Sequence, residues 1–219
     1  MRKIGLIFIL LLLAMSIYAR EVRVITVSGK KISIELDNES EVLRFDHIVS
    51  PLKEIENPEC LENIEKVVFS FVDLTNAEEL FWSSLSHVSN ILFDYTDVED
   101  FTFLRYLPEL KVISFRESNS INNFSSINLS SNAKLEYFEL NGLKFIDFEG
   151  FFNVPKSLKY LVIANSKLTE ADYSKITESL DENIYLVIDY MQMKYFSNFK
   201  NLLNQNSLKN LWEEFNVKG

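Results

Sequence analysis

The sequence predicts an α/β fold built from stacked units of about 24 residues, each a short strand followed by a helical or looped return. Three observations predict it. A six-residue pattern, apolar at its first, fourth and sixth places, recurs as Ile64, Val67, Phe69; Val88, Ile91, Phe93; Leu110, Ile113, Phe115; Leu135, Phe138, Leu140; and Leu158, Leu161, Ile163, with starts 24, 22, 25 and 23 residues apart. Strand-sized apolar stretches such as Val67-Val68-Phe69 alternate with stretches whose apolar residues lie three apart, as in Phe101, Leu104 and Leu107, the contrast between strand and helix periodicity. No unit of this length buries its own apolar face, so neighbours must stack.

The chain has 219 residues, with 22 basic against 32 acidic side chains and a net charge of −10. Its length suffices for a core without disulfides, as the single cysteine, Cys60, demands. The acidity argues against nucleic acid or an anionic bilayer as a partner. A protein with a basic or mixed surface is the expected one.

Taken in chain order, Arg2 and Lys3 form a basic start, residues 4–17 are largely apolar with leucine at positions 10–13, and small residues stand at Ser16 and Ala19. Residues 1–19 thus read as a secretory signal peptide, cut after Ala19 or after Ser16. A run of about 14 apolar residues falls short of the roughly 20 that span a bilayer, so no stable membrane insertion is expected after cleavage. Residues 20–63 read as an N-terminal cap. Residues 21–36 alternate through Ile32, Ile34 and Leu36 after a Ser28-Gly29-Lys30-Lys31 turn, which predicts a β-hairpin. Residues 51–61, interrupted by Pro58, predict a short helical connection. Stacked repeats need such an end, because the first unit would otherwise expose core and a strand edge.

Residues 64–193 hold the repeats. A sixth copy supplies Leu186 and Ile188 with Asn183 at its first place, and a further apolar residue follows the sixth place in Leu74, Val98, Phe145, Leu168 and Met193, with Ile121 one place off. This L-x-x-L-x-L recurrence, closest in the segment Leu107-Pro108-Glu109-Leu110-Lys111-Val112-Ile113-Ser114-Phe115, resembles the leucine-rich repeat over more than half of the chain. The resemblance implies a solenoid with one short parallel strand per copy on a concave sheet and short helices or loops on the convex side. It also implies a non-enzymatic protein-binding role, like that of short repeat proteins that bacteria place in the periplasm or secrete. The pattern departs from the family at the ninth place, where Val72, Thr96, Ser118, Leu143, Ser166 and Met191 replace the usual Asn. Thr96, Ser118 and Ser166 keep a hydroxyl for a neighbouring backbone; the other three do not. Phe in place of Leu predicts a wider core.

Residues 194–219 read as a C-terminal helical cap, since Phe196, Phe199, Leu202, Leu203, Leu208, Leu211, Trp212 and Phe215 fall at helical spacing. Glu213 and Glu214, with few basic residues nearby, favour a cap over a membrane or partner helix. Little in the sequence offers catalysis. His47 beside Asp46, His87 and Cys60 are the materials for nucleophilic or imidazole chemistry, and no phosphate-loop, paired C-x-x-C, H-E-x-x-H or G-x-S-x-G motif accompanies them. Asp94, Asp97, Glu99 and Asp100 have the oxygens for a hard cation but not the spacing of a calcium loop, and a solvated loop is the competing reading. No cofactor is expected. Asn38, Asn123 and Asn128 lie in N-x-S sequons.

With that register the third, fifth, seventh and eighth places project from the concave sheet, because strand side chains alternate. Tyr137, Tyr160 and Tyr185 then form a column at the third place. Leu92, Glu139, Val162 and Val187 stand at the fifth place, and Asp94 and Arg116 at the seventh. Tyrosine beside valine with a charged rim has the makeup of a protein-binding hot spot. Two other readings stand beside it: cross-strand tyrosine pairs that stabilise the sheet, and a C-terminal cap folded over the column. The rival for function as a whole is a structural or self-associating scaffold of the cell envelope.

Overall fold

The computed structural model describes residues 20–96, 98, 101–118, 129–142, 154–166, 170–196 and 199–217. The expected signal peptide, two of the sequons and Asp97, Glu99 and Asp100 lie outside the described residues.

Two sheets carry the chain. Strands β1 (Arg20–Thr26) and β2 (Lys31–Leu36) pair antiparallel, the expected hairpin, with Gly29 at φ +82° in its turn. The second sheet has eight strands: β3 (Val42–Asp46), β5 (Lys66–Ser70), β6 (Asn90–Asp94), β7 (Val112–Arg116), β8 (Tyr137–Asn141), β9 (Tyr160–Ala164), β10 (Tyr185–Ile188) and β11 (Leu202–Asn204), all parallel and each beside its predecessor. The mixed α/β class is as expected. Parallel neighbours need a return crossing, and the returns here are short: helix α1 (Glu79–Ser83), 3₁₀ turns at Thr102–Tyr106 and Leu129–Ser131, and helix α2 (Glu170–Ser179).

Three local expectations are corrected. Residues 51–61 are not a helical connection: Leu52–Ile55 forms strand β4, antiparallel to β1, burying Leu52 and Ile55. Only Pro58–Leu61 is helical, a 3₁₀ turn with Pro58 at its start, where a missing N–H costs nothing. The parallel sheet also begins inside the segment assigned to the cap. Leu43 and Phe45 of β3 register with Val67 and Phe69, one copy earlier than the pattern shows, because Ser40 stands where that pattern needs an apolar first place. At the far end, Leu202 and Leu203 are not on a helix but in β11, which extends the sheet; Tyr190–Phe196 is 3₁₀, and among the described residues after it α-helix is confined to α3 (Leu208–Glu214).

One face of the large sheet meets the returns across an aromatic core. Phe45, Phe69, Phe93 and Phe115, fully buried at the sixth place of successive strands, stack at 5.0, 5.4 and 4.6 Å between centroids. Phe81, Phe101 and Phe103 meet them edge-on. The ninth-place hydroxyls bond backbone as expected. Buried Thr96 accepts from the Val72 N–H (3.3 Å) and donates to the Phe69 carbonyl (3.1 Å), Ser118 donates to Thr96 O (2.6 Å), and Ser166 to Ala164 O (3.0 Å). These bonds tie each hydroxyl to main-chain groups at the strand ends, where buried polar atoms need partners.

The eighth place turns the chain out of each strand. His47, Phe71, Tyr95, Glu117, Gly142 and Asn165 all have positive φ, from 47° to 73°. The first five each donate N–H to a carbonyl of the next strand at 2.9–3.1 Å, and Asn165 to the Asp189 carboxylate at 3.0 Å. That left-handed residue ends the strand without leaving its N–H unpaired.

Candidate functional site

The sheet face assigned to binding is occupied. Val68, Leu92, Val112, Tyr137, Val162, Ala164 and Val187 form a second apolar cluster, separate from the phenylalanine core, together with Leu208, Leu211 and Val217 from the C-terminal segment. Trp212, Phe215, Tyr160 and Leu203 pack at its margin. An open face is therefore not what the structure has: Tyr137, Glu139, Val162 and Val187 have no exposed surface and Leu92 has 2%. Tyr160 is half-buried, and Tyr185, farther along the sheet, remains 40% exposed.

The local sequence explains how the segment is held. Asn204 accepts from the Asn206 N–H (2.9 Å) and starts the 3₁₀ turn Gln205–Ser207 that leads into α3. Leu208, Leu211, Trp212 and Phe215 follow at the spacing that puts them on one face. Asn216, at φ 52°, closes the helix: its N–H reaches Glu213 O, the Val217 N–H reaches Trp212 O at 2.9 Å, and buried Val217 folds under the end, the Schellman arrangement.

Glu139 is the polar centre. One carboxylate oxygen accepts from Ser114 Oγ (2.7 Å), Arg116 Nη2 (3.0 Å) and Tyr137 Oη (3.2 Å); the other accepts from Asn141 Nδ2 (3.0 Å) and Trp212 Nε1 (3.1 Å). The Arg116 guanidinium also lies over the Trp212 ring at 4.3 Å. A buried carboxylate is tolerated when it is paired and its lone pairs are filled, and strands β7 and β8 supply four of the five donors. Burial and the adjacent Glu139 carboxylate hold the Tyr137 hydroxyl far above the usual tyrosine range, so it stays a donor. Tyr137, Tyr160 and Tyr185 share one register row. Phe215 packs on Tyr137 (5.0 Å) and edge-on to Tyr160 (5.4 Å), while Tyr160 stacks on Tyr185 (5.2 Å). Asn90 Nδ2 anchors the Phe215 carbonyl at 3.0 Å.

Asp94 lies at the half-buried rim, where burial raises its carboxyl pKa against the pull of Arg116. Lys66, at the third place of β5, is buried. Desolvation, with Arg44 and Arg116 adding like charge, pushes its pKa down from 10.5 to about 8. Between those two values the unfolded chain binds more protons than the folded one, so stability rises with pH across that window. Lys66→Met is expected to raise the melting temperature near neutral pH and to flatten that rise, read by thermal melts of both proteins across about pH 8 to 10.5.

The remaining candidates are scattered. His47 Nδ1 bonds Asp46 at 2.7 Å in an exposed turn, and His87 Nε2 meets the Leu61 carbonyl at 2.8 Å. Cys60 is half-buried against the main core, and burial raises its thiol pKa. Among the described residues no group of three or more His, Cys, Asp or Glu is placed to hold a metal ion, and no helix is long and apolar enough to cross a membrane. The sequence carried one unread signal of the covered face: the fifth place is itself apolar in Val68, Leu92, Val162 and Val187, making continuous apolar runs of the kind that mark strands buried on both faces. No family model matches this chain, and no curated protein is significantly similar to it.

Proposed function

We propose that this chain is an exported, non-enzymatic leucine-rich-repeat solenoid that binds proteins, and that its concave face is a receptor for an amphipathic helix. One observation carries the reading: α3 lays Leu208, Leu211, Trp212 and Phe215 on the sheet face and passes its indole N–H to buried Glu139. This is helix-in-groove recognition, with anchors at i, i+3, i+4 and i+7, performed within one chain. A partner helix bearing the same anchors competes with α3 for the same seat. The one-per-copy parallel strands and the basic and apolar start of residues 1–19 support the solenoid and export parts of the reading.

The test supplies the helix in trans. A synthetic peptide of residues 204–217 is titrated onto the full-length chain and onto its Trp212→Ala/Phe215→Ala variant, whose own α3 holds less tightly. The variant is expected to bind the peptide at least about tenfold more tightly than the unmodified chain, since loss of an aromatic anchor costs more than 1 kcal/mol. Equal or absent binding by the variant sinks the receptor reading. The scaffold alternative draws on the same helix, because α3 follows the three-residue edge strand β11 and can be exchanged between copies. A dimer on a sizing column that Trp212→Ala abolishes would favour it.

A further inference from the structure

The left-handed turn at the eighth place is filled in two ways. Gly142 and Asn165 are residue types that adopt positive φ readily. Phe71 and Tyr95 are not, yet they hold φ of 54° and 47°, outliers for bulky side chains. Burial gives little in return, since Phe71 is 47% and Tyr95 51% exposed. What the two rings share is a stack. His47 lies on Phe71 at 4.9 Å and 24°, and Phe71 on Tyr95 at 4.9 Å and 6°, three rings in a row along the strand ends. Strained backbone that displays exposed aromatic groups in order is a pattern of binding sites.

The charges beside the stack choose its occupant. Asp46 and Asp94 precede His47 and Tyr95 in the chain, and Asp46 is 63% exposed. The rung after Tyr95 is Glu117, exposed, with its carboxylate against Gly142, where an added Cβ would come within 2.2 Å of Oε1. Of the basic groups nearby, Arg116 holds Glu139 and Trp212, Lys31 pairs with Glu56 at 2.6 Å, and Lys30 shares with Lys31 the cleft at the His47 end of the row, the end away from Tyr95. The ring row therefore ends, at Tyr95, among carboxylates. A guanidinium is flat enough to continue a stack and carries donors for carboxylates on its edge; an ammonium does only the second.

We propose that the stack of His47, Phe71 and Tyr95 is a docking surface for an arginine-bearing segment of a partner protein, with the guanidinium seated on Tyr95 between Asp94 and Glu117. This surface borders the concave face at Asp94 and stands whether or not that face receives a helix. The probe is a short blocked peptide of alternating glycine and arginine, titrated onto the full chain and followed by backbone amide shifts at residues 71 and 95. Saturable binding is expected. A Phe71→Ala/Tyr95→Ala variant, unchanged in charge, should bind about tenfold more weakly, and the lysine version of the peptide several-fold more weakly. Tyr95→Gly separates binding from folding: it should melt no lower than the unmodified chain, because glycine suits the left-handed turn, and still lose the peptide. The proposal is overturned by equal binding to the double variant, by no binding to the unmodified chain, or by a Tyr95→Gly chain that melts several degrees lower with binding intact. Self-association abolished by the double variant overturns it too, by making a second copy the occupant.

Discussion

Glu139→Ala is expected to lower the stability of the chain by about 3–5 kcal/mol, the cost of breaking a buried ion pair by removing one partner. That range covers the stranded charge, and four further donors add to it. Arg116, whose side chain is only 16% exposed, would lose its carboxylate while still held under Trp212. Ser114, Tyr137, Asn141 and Trp212 would lose their common acceptor in a site closed to water. Urea denaturation of the two proteins reads the difference directly. Trp212→Phe isolates the part played by the indole N–H, since it keeps an aromatic ring beside Arg116 and removes the donor to Glu139. Its expected cost is about 1.5–3 kcal/mol, the range for a hydrogen bond to a charged group. A Glu139→Ala protein as stable as its parent would mean that the polar centre contributes nothing to holding α3.

Phe93→Ala is expected to cost about 3–5 kcal/mol, the usual range for truncating a fully buried phenylalanine. Phe93 is one of the two interior rings of the four-ring row, stacked on Phe69 and Phe115 and met edge-on by Phe103. Neighbours on both sides belong to rigid strands and cannot collapse into the gap, so the cavity persists. Phe45→Ala, at the end of the row and stacked on one ring, should cost less. A denaturant midpoint that falls more for Phe45→Ala than for Phe93→Ala would show that the row does not act as a stack.

The repeated strands were legible because their signal is local. Each strand needs an apolar residue at the fourth and sixth places to face the core, and the spacing of those places fixed β5 to β10 in the sequence. The pattern failed where one local feature was out of line. Ser40 concealed the copy that includes Leu43 and Phe45, and Leu202 and Leu203 fit a helical period as well as a strand, since short apolar runs do not distinguish the two. Residues 51–61 show the same ambiguity from the other side: Leu52 and Ile55 sit three apart, yet pairing with β1 made them a strand.

The candidate site was half legible. The register placed Tyr137, Tyr160 and Tyr185 in one row and Glu139 and Arg116 on one face, and the structure brings them together there. The eighth-place turn was not foreseen, because left-handed φ at Phe71 and Tyr95 runs against their local preference and is imposed by the hydrogen bond to the next strand.

By itself the sequence determined the repeat period, the strand faces and the phenylalanine-rich core, all of which follow from residues within one unit. Only the tertiary structure decided what lies over the other face. Trp212 and Glu139 are 73 residues apart, and Asn90 and Phe215 are 125 apart. Periodicity records that a side chain must leave water, but the hydrophobic effect has no direction, so the cover was decided in three dimensions, where residues 208–217 bring apolar side chains at helical spacing and an indole N–H to the buried carboxylate.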